Sequence, residues 1–475
     1  MVLGSRHGST TDTTDPGMIL NAFQGYVAYA FTSTLTEMLA DGNLGPALAT
    51  SWESSDAKTW RFKLRTDVTF HNGAKMTPQD VVASLNYHKR ADSTSSVKPT
   101  ADEMTDIAVD GSDGIVITLK AANADLPASF NDAAFAVYPA SAETIDWQSR
   151  NGTGAYILEA FEPGSRALLK RNPNYWRDDR GFADEVEILC IPDATARTSA
   201  LISGQVQAID EVDLKTVELL RSQPGIVIEQ TAGPLHYSLP MLTNVAPFND
   251  VNVRRALKFA VDRQEIVDKV LFGYGSIGND HPIGPSYKYH AADIEQTAYD
   301  PDKAKFHLGK AGLSDLTVEL HAADAAFAGA VDVALLYAEQ ARKAGITVNV
   351  TREANDAYWD NVWIKKPFCA AYWGGYPVES QIFAMGYAPG ASWNDTHWTD
   401  PKFESLRLEA TAELDSDKRR EMYREMQSIM RDDGGTIVLA FPTTVMARNE
   451  TVAHGPLSSN NVFDGSRVAE RWWVV

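Results

Sequence analysis

Cysteine is nearly absent from this chain: Cys190 and Cys369 are the only two among 475 residues. Two thiols build no disulfide framework and have no metal-site spacing. Each lies in an apolar, strand-like run, Val186-Glu-Ile-Leu-Cys-Ile191 and Phe368-Cys-Ala-Ala371, so buried free thiols are expected. No apolar run reaches about 18 residues, which leaves no candidate for a hydrophobic membrane-spanning helix. Basic residues are in deficit, with 43 Lys and Arg against 63 Asp and Glu, a net charge of -20 and a pI near 4.9. Nucleic acid and anionic membrane each need a basic face, so neither is expected as the main partner. Met1-Val-Leu-Gly-Ser-Arg6 lacks the basic start and long apolar stretch of a secretory signal and reads as a first strand.

Most catalytic signatures are missing too. There is no phosphate-cradling loop ending in Gly-Lys-Ser/Thr, no His-Glu-x-x-His and no Gly-x-Ser-x-Gly elbow. Gly273-Tyr-Gly-Ser-Ile-Gly278 matches Gly-x-Gly-x-x-Gly, but it follows a helical pattern and Asn279-Asp-His-Pro282 prevents a helix from starting after it, so a loop is expected. The ten histidines are scattered; His281, His290, His397 and His454 are expected to be structural or at the surface. No metal and no cofactor is expected. Paired carboxylates for glycosidase chemistry are not selected by any spacing.

Large aromatic rings are abundant, and they crowd one region. In Phe368-Cys-Ala-Ala-Tyr-Trp-Gly-Gly-Tyr-Pro-Val-Glu-Ser380, residues 368–373 suit a buried strand that Gly374-Gly375 interrupts. Tyr358, Trp359 and Trp363 precede it; Tyr387, Trp393 and Trp398 follow. An indole wants a partner for its N–H, so so many rings beside a glycine break read as a ligand wall rather than one core layer.

The rest of the chain alternates α and β, the pattern of open sheets. Near-alternation over Thr59-Trp-Arg-Phe-Lys-Leu64 predicts a strand, and Val68-Thr-Phe-His71 another. Thr77-Pro78-Gln79-Asp80 predicts a capped helix start. One helix is expected over 251–270, with Val253, Leu257, Val261 and Val267 inward and Arg254, Arg255, Lys258, Asp262 and Arg263 in solvent. Further helices are expected over 325–344 and from Asp300-Pro301, Asp400-Pro401 and Ser416-Asp417. Trp52, Trp60, Phe62 and Phe70 are expected to fill a β-rich core, and Trp472-Trp473 to pack.

Several segments carry a likeness in order along nearly the whole chain. They include Gly45-Pro-Ala-Leu-Ala-Thr-Ser-Trp-Glu53, the 59–73 strand pair, Met76-Thr-Pro-Gln-Asp-Val-Val-Ala-Ser-Leu85, Gly152-Thr-Gly-Ala-Tyr156 and Arg171-Asn-Pro-Asn-Tyr-Trp176. Ala196-Arg-Thr-Ser-Ala-Leu-Ile-Ser-Gly204, Phe248-Asn-Asp-Val-Asn-Val-Arg-Arg-Ala-Leu257 and Tyr299-Asp-Pro-Asp-Lys-Ala304 continue it. The sequence thus resembles the family 5 extracellular solute-binding proteins, the peptide- and nickel-type receptors of ABC importers.

That resemblance implies an α/β, two-lobe periplasmic-binding-protein fold of type II with an extra β-rich subdomain. Lobe I would comprise 1–31, 153–243 and 436–475, the subdomain 32–152 and lobe II 244–435. It further implies a non-enzymatic, monomeric receptor, exported to the periplasm with its signal sequence already removed. Such a receptor captures a small-molecule or peptide-like ligand in an interlobe cleft, closes by hinge bending and delivers it to an inner-membrane ABC permease.

Peptide receptors of the family carry an Asp after a Trp-x-Gly/Ala segment to hold the peptide amino group. Here Trp373-Gly-Gly-Tyr376 puts Tyr in that place. The dipeptide type also carries an Arg for the carboxylate after the strand comparable to 316–321, and His321-Ala-Ala-Asp-Ala-Ala-Phe327 has none. An ordinary free dipeptide is therefore not the expected ligand. An amide-bearing, modified or cationic one is, held by ring faces and by Asp324, Asp356 and Asp395.

Within this reading Trp373 and Tyr372 form the wall, Gly374 and Gly375 admit the ligand to the backbone, and Tyr376 offers a hydroxyl. Tyr237 closes the pocket, while Trp359, Trp393 and Asn394 flank it. Asp12 and Thr13, with Thr10, reach in from the first loop. Core packing competes as the role of Trp359 and Trp393, and turn chemistry as that of Asp12 and Thr13. A carbohydrate-active hydrolase with Trp platforms and a metal-chelate receptor of the nickel type are the alternative readings.

Overall fold

The computed structural model describes residues 1–475 except 142, 143, 460 and 461. It divides into two compact units, Met1–Thr231 with Thr444–Val475, and Ala232–Thr443.

The first unit is built on the strand Val2–Ser5. It runs parallel to Glu185–Cys190 on one side and Ala208–Ile209 on the other. Arg166–Arg171 and Tyr156–Glu162 extend the sheet antiparallel, and Arg448 and Ala447 pair with Ala208 and Ile209. The helix Ala22–Phe31 is apolar nearly all round, and Phe23, Tyr26 and Phe31 join Tyr156, Phe463 and Trp472 in one core. Trp472 is thus packing, as expected.

A separate antiparallel sheet runs in the order Ala49–Glu53, Thr59–Leu64, Gly114–Leu119, Met104–Asp110. Strict alternation buries Trp60, Phe62 and Leu64, which with Phe70, Phe130 and Phe135 form the expected β-rich core; Trp52 is partly buried against it. The helix Pro78–Tyr87 begins at the predicted capped start, where Thr77 and Asp80 form a capping box. The predicted strand at Val68 is absent: only Thr69 bridges Lys75, because the Asn72-Gly73 turn closes the hairpin too soon for a ladder.

In the second unit His236–Pro240 pairs on one side with Ala371–Trp373 and on the other with the early residues of Thr436–Asn449, to which Gly275–Ile277 also adds. The expected strand over 368–373 is therefore regular only at its last three residues; Phe368 and Cys369 make single bridges to Met241 and His321. The Gly-x-Gly-x-x-Gly stretch departs from the expected loop, since part of it is the 275–277 strand. Its last glycine is needed for packing: a Cβ on Gly278 would stand 2.3 Å from the Val438 carbonyl oxygen. Leu316–Ala322 and Ile346–Arg352 form a parallel pair joined through the helix Ala330–Arg342, which starts later than predicted because Gly329 adopts a left-handed turn before it. Helices Pro301–Lys310 and Pro401–Ala412 start where expected, capped by the side chains of Asp300 and Asp400, whereas Ser416–Asp433 starts one residue early because Asp415, not Ser416, is its N-cap.

The single helix predicted over 251–270 is two, Val251–Phe259 and Arg263–Lys269. Asp262 interrupts it by accepting the Glu265 amide as N-cap of the second helix. The cations assigned to solvent also turn inward: Arg254, Lys258 and Arg263 are buried. Both cysteines are free, Cys369 buried and Cys190 partly so. Among the described residues no helix is long and apolar enough to cross a membrane.

Candidate functional site

The site is assembled on the two paired strands His236–Pro240 and Ala371–Trp373. Tyr237 lies opposite Tyr372 and His236 opposite Trp373, so pleating sends the tyrosines to one face and the Trp and His to the other. The two faces do different things.

On the first face the rings form an open shelf. Phe327 stacks on Tyr237 with centroids 4.0 Å apart and planes 9° from parallel. Trp359 meets Tyr372 edge to face at 5.4 Å. Tyr372 is 41% exposed, and Tyr237 and Trp359 are half-buried, so ring surface is left for a ligand. Burial raises the Tyr237 phenol to about 12, which keeps its hydroxyl a neutral donor at physiological pH. The neighbouring Tyr358 fixes Trp359, its hydroxyl donating to the Ala370 carbonyl at 2.8 Å. Asn355 accepts the Ala325 amide at 2.9 Å, which ties together the two loops that carry the exposed Asp324 and Asp356.

The opposite face is closed. Trp373, 3% exposed, and Trp363 both donate their indole N–H to the same Asp395 oxygen, at 3.1 Å each. Asp395 is itself buried, and desolvation lifts its pKa to about 6 although the two indole bonds favour the charged form. It is thus a clamp for two tryptophans rather than a carboxylate offered to a ligand, which corrects its expected role. Trp373 likewise sits behind the shelf as support, packed against Gly386, where a Cβ would stand 3.0 Å from the indole. Trp393, 45% exposed, rests edge-on against Trp363 at 6.2 Å and continues the ring surface.

The remaining expected residues fall as follows. Gly374 has open space where a Cβ would be, whereas on Gly375 a Cβ would meet Pro234 at 2.2 Å, so its missing side chain serves packing. Tyr376 is half-buried, and its amide points to the Tyr287 hydroxyl at 3.4 Å. Asn394 is occupied with the Trp398 carbonyl and the Thr396 hydroxyl. In the other unit, Asp12 closes its own loop through the Ser9 amide and the Asn21 side chain, and the Thr13 hydroxyl accepts the Asp15 amide. Phe327 and the His321–Glu353 pair at 2.7 Å were not singled out from the sequence. For Phe327 the available signal was its place as the single phenyl ring between the 316–322 strand and Gly329.

Behind the closed face lie two buried histidines. Burial, with little to offset it, holds His236 down to about 4 and His281 to about 3, the latter helped by neighbouring His290 and His236. Both stay neutral when folded but protonate near 6.5 when unfolded, so the stability they contribute is present above pH 6.5 and lost as the pH falls toward 4. Asp395 acts oppositely in that window, gaining stability as it protonates. Between about pH 5.5 and 4.5 the two histidines outweigh the one carboxyl, giving a net loss of about 1.4 kcal/mol per pH unit from this trio. Urea titrations of the wild type and His281→Leu across this range should show a shallower pH slope in the variant.

The model for bacterial extracellular solute-binding proteins, family 5, matches residues 43–395. The chain belongs to that family. It is 25% identical over 482 residues to di/tripeptide-binding protein 3 of Pseudomonas aeruginosa, covering 88% of this chain and 86% of that protein. It is 29% identical over 293 residues to the nickel-binding periplasmic protein of Escherichia coli, a match covering 58% of this chain but only 55% of that protein. The solved structure of the ABC transporter-associated periplasmic binding protein DppA from Helicobacter pylori, in complex with the peptide STSA, superposes with a TM-score of 0.75 over 99% of this chain and 97% of that one, at 20% identity. That likeness establishes the expected periplasmic-binding-protein fold. Family 5 proteins bind peptides or other small ligands, work with an ABC permease, and are periplasmic or extracellular binding proteins rather than enzymes.

Proposed function

We propose that this family 5 receptor captures a small ligand with a flat or apolar face and a cationic or amide-bearing part, lays it on the Phe327–Tyr237–Tyr372–Trp359 shelf, and passes it to an inner-membrane ABC permease. The observation that carries this is the shelf itself, in which the stacked pair Phe327–Tyr237 and the edge-to-face pair Trp359–Tyr372 meet through the opposed positions of Tyr237 and Tyr372, with Tyr372 exposed and two clamped tryptophans behind. Asp324 and Asp356 on the tied loops supply negative charge nearby for a cationic group. Tyr376, where peptide receptors of the family hold an amino group with Asp, argues against an ordinary free dipeptide. The protein acts as an exported periplasmic monomer and turns nothing over. Lobe I with its β-rich subdomain corresponds in this reading to the first compact unit and lobe II to the second; the unit limits at 231/232 and 443/444 support a two-part division but assign 232–243, with Tyr237, and 436–443 to the second unit instead of lobe I.

The test is a thermal-shift screen of amines, capped peptides and free dipeptides against wild type and Tyr372→Ala. A ligand that stabilises the wild type should bind the variant about 10- to 100-fold more weakly, as expected for losing one stacked ring at a hot spot. Equal stabilisation of both proteins would remove the shelf from the site. A metal-chelate ligand is the second reading, favoured by the nickel-binding relative. A chelate brings its own donor atoms and asks chiefly for ring surface, and metal analysis of the purified protein separates the two readings.

A further inference from the structure

A second cavity, of about 200 Å3, opens in the same unit away from the shelf, beside the helix Val251–Phe259 and the end of the helix Ser416–Asp433. Its walls include Arg255, Lys258, His307 and Arg431, with Asp432 as the one carboxylate and Phe259, stacked on His307, as an apolar side. In a chain of net charge -20 three cations, Arg255, Lys258 and Arg431, around one small cavity call for an explanation.

Part of the explanation is structural. The Arg255 Nε donates to the Asp432 carbonyl, and the Lys258 ammonium donates to the carbonyls of Met430 and Arg431, so both close the last turn of the long helix. The charges do not balance, however. A helix C-terminus offers about half a negative charge, while Arg255 and Lys258 bring two positive ones. Asp432 is taken by Arg431 at 2.9 Å, and Arg254 takes Asp433 at 2.8 Å. Among the described residues neither Arg255 nor Lys258 has a carboxylate within ion-pair distance, and the Arg255 terminal nitrogens have no protein acceptor. Lys258 is 1% exposed, and burial lowers its ammonium to about 8. Its hydrogen-bond partners are carbonyls, and Asp280 and Asp433 act on it only from beyond ion-pair distance, so it remains short of close counter-charge.

We propose that this cavity binds a small oxyanion of the size and charge of inorganic phosphate, held by Arg255 and Lys258. At ~30 Å3 per water the space equals about seven waters, enough for phosphate with one or two of them retained. Arg255 supplies the planar fork that suits an oxyanion, and Lys258 supplies a point charge. The His307 Nδ1 is engaged by Asn252 at 3.2 Å, which fixes the ring at the rim. Filling the cavity stabilises the second unit without touching the aromatic shelf.

The test titrates inorganic phosphate, and separately sulfate, into the full chain at pH 7 with ionic strength held constant by chloride, reading the thermal midpoint and the 31P line width. The wild type should show a saturating rise in midpoint and phosphate line broadening that sulfate reverses. Arg255→Gln and Lys258→Met should each weaken the apparent affinity at least tenfold, while Lys402→Gln, at an exposed pair elsewhere, should leave it unchanged. Should Lys258→Met fail to fold, the half-buried Arg255→Gln still carries the comparison. A midpoint that rises linearly without saturation, or an unchanged response in Arg255→Gln, would overturn the proposal.

Discussion

Replacing Asp280 with Ala is expected to destabilise the protein by about 3–5 kcal/mol, the range for removing one partner of a buried ion pair. Arg263 donates to Asp280 at 2.6 Å, and both side chains are shut off from solvent. The same carboxylate accepts the Val438 amide, while Arg263 also reaches the carbonyls of Val438 and Thr297. One pair therefore binds the start of the Arg263–Lys269 helix to the strand beside the site. Without Asp280 the guanidinium keeps its carbonyls but loses the one carboxylate within ion-pair distance among the described residues. Glu425→Ala, which breaks the exposed Lys402 pair, should change stability by about 0–1 kcal/mol under the same conditions. Chemical denaturation of the three proteins checks this, and a loss below 1 kcal/mol for Asp280→Ala would refute it.

Asp395→Ala should cost about 2–4 kcal/mol, because the buried Trp373 N–H and the partly buried Trp363 N–H would both be left without this acceptor. The loss should reach the ligand as well, since these indoles support the shelf from behind. Asp395→Asn keeps an acceptor oxygen and should cost less, which allows the charge to be read separately. The folded carboxyl titrates near 6, above its ordinary value of 3.8. A raised carboxyl contributes stability that is fully present below the unfolded value and lost as pH rises through the folded one. The wild type therefore gains up to about 3 kcal/mol from this group between pH 7 and 4, a gain the Asn variant lacks. Equal pH slopes for wild type and Asn variant would contradict the assignment.

Much of this fold is written locally. The Thr77 capping box and the three Asp-initiated helices of the second unit need only neighbouring residues, and alternation over Thr59–Leu64 suffices to bury Trp60 and Phe62. What sequence hides is set by distant partners. Arg254, Lys258 and Arg263 carry the pattern of a solvated helix face, yet their partners lie at 430–433 and at 280 and 438. The 251–270 helix reads as continuous because Asp262 is as ordinary inside a solvated face as at an N-cap. In the site, the ring-rich stretch was legible, but the split between Tyr372 on the shelf and Trp373 behind it depends on which face of a three-residue strand is covered. Asp395 reads in sequence as a ligand carboxylate, but two indoles occupy one of its oxygens.

The most direct measurement is native mass spectrometry of freshly purified protein, compared with the same sample after denaturation and extraction, for the wild type and Tyr372→Ala. A small retained mass is predicted on the wild type, identified after extraction as cationic, amide-bearing or capped, and absent or much depleted on Tyr372→Ala. An unmodified zwitterionic dipeptide retained equally by both proteins would contradict the aromatic shelf as the place of capture.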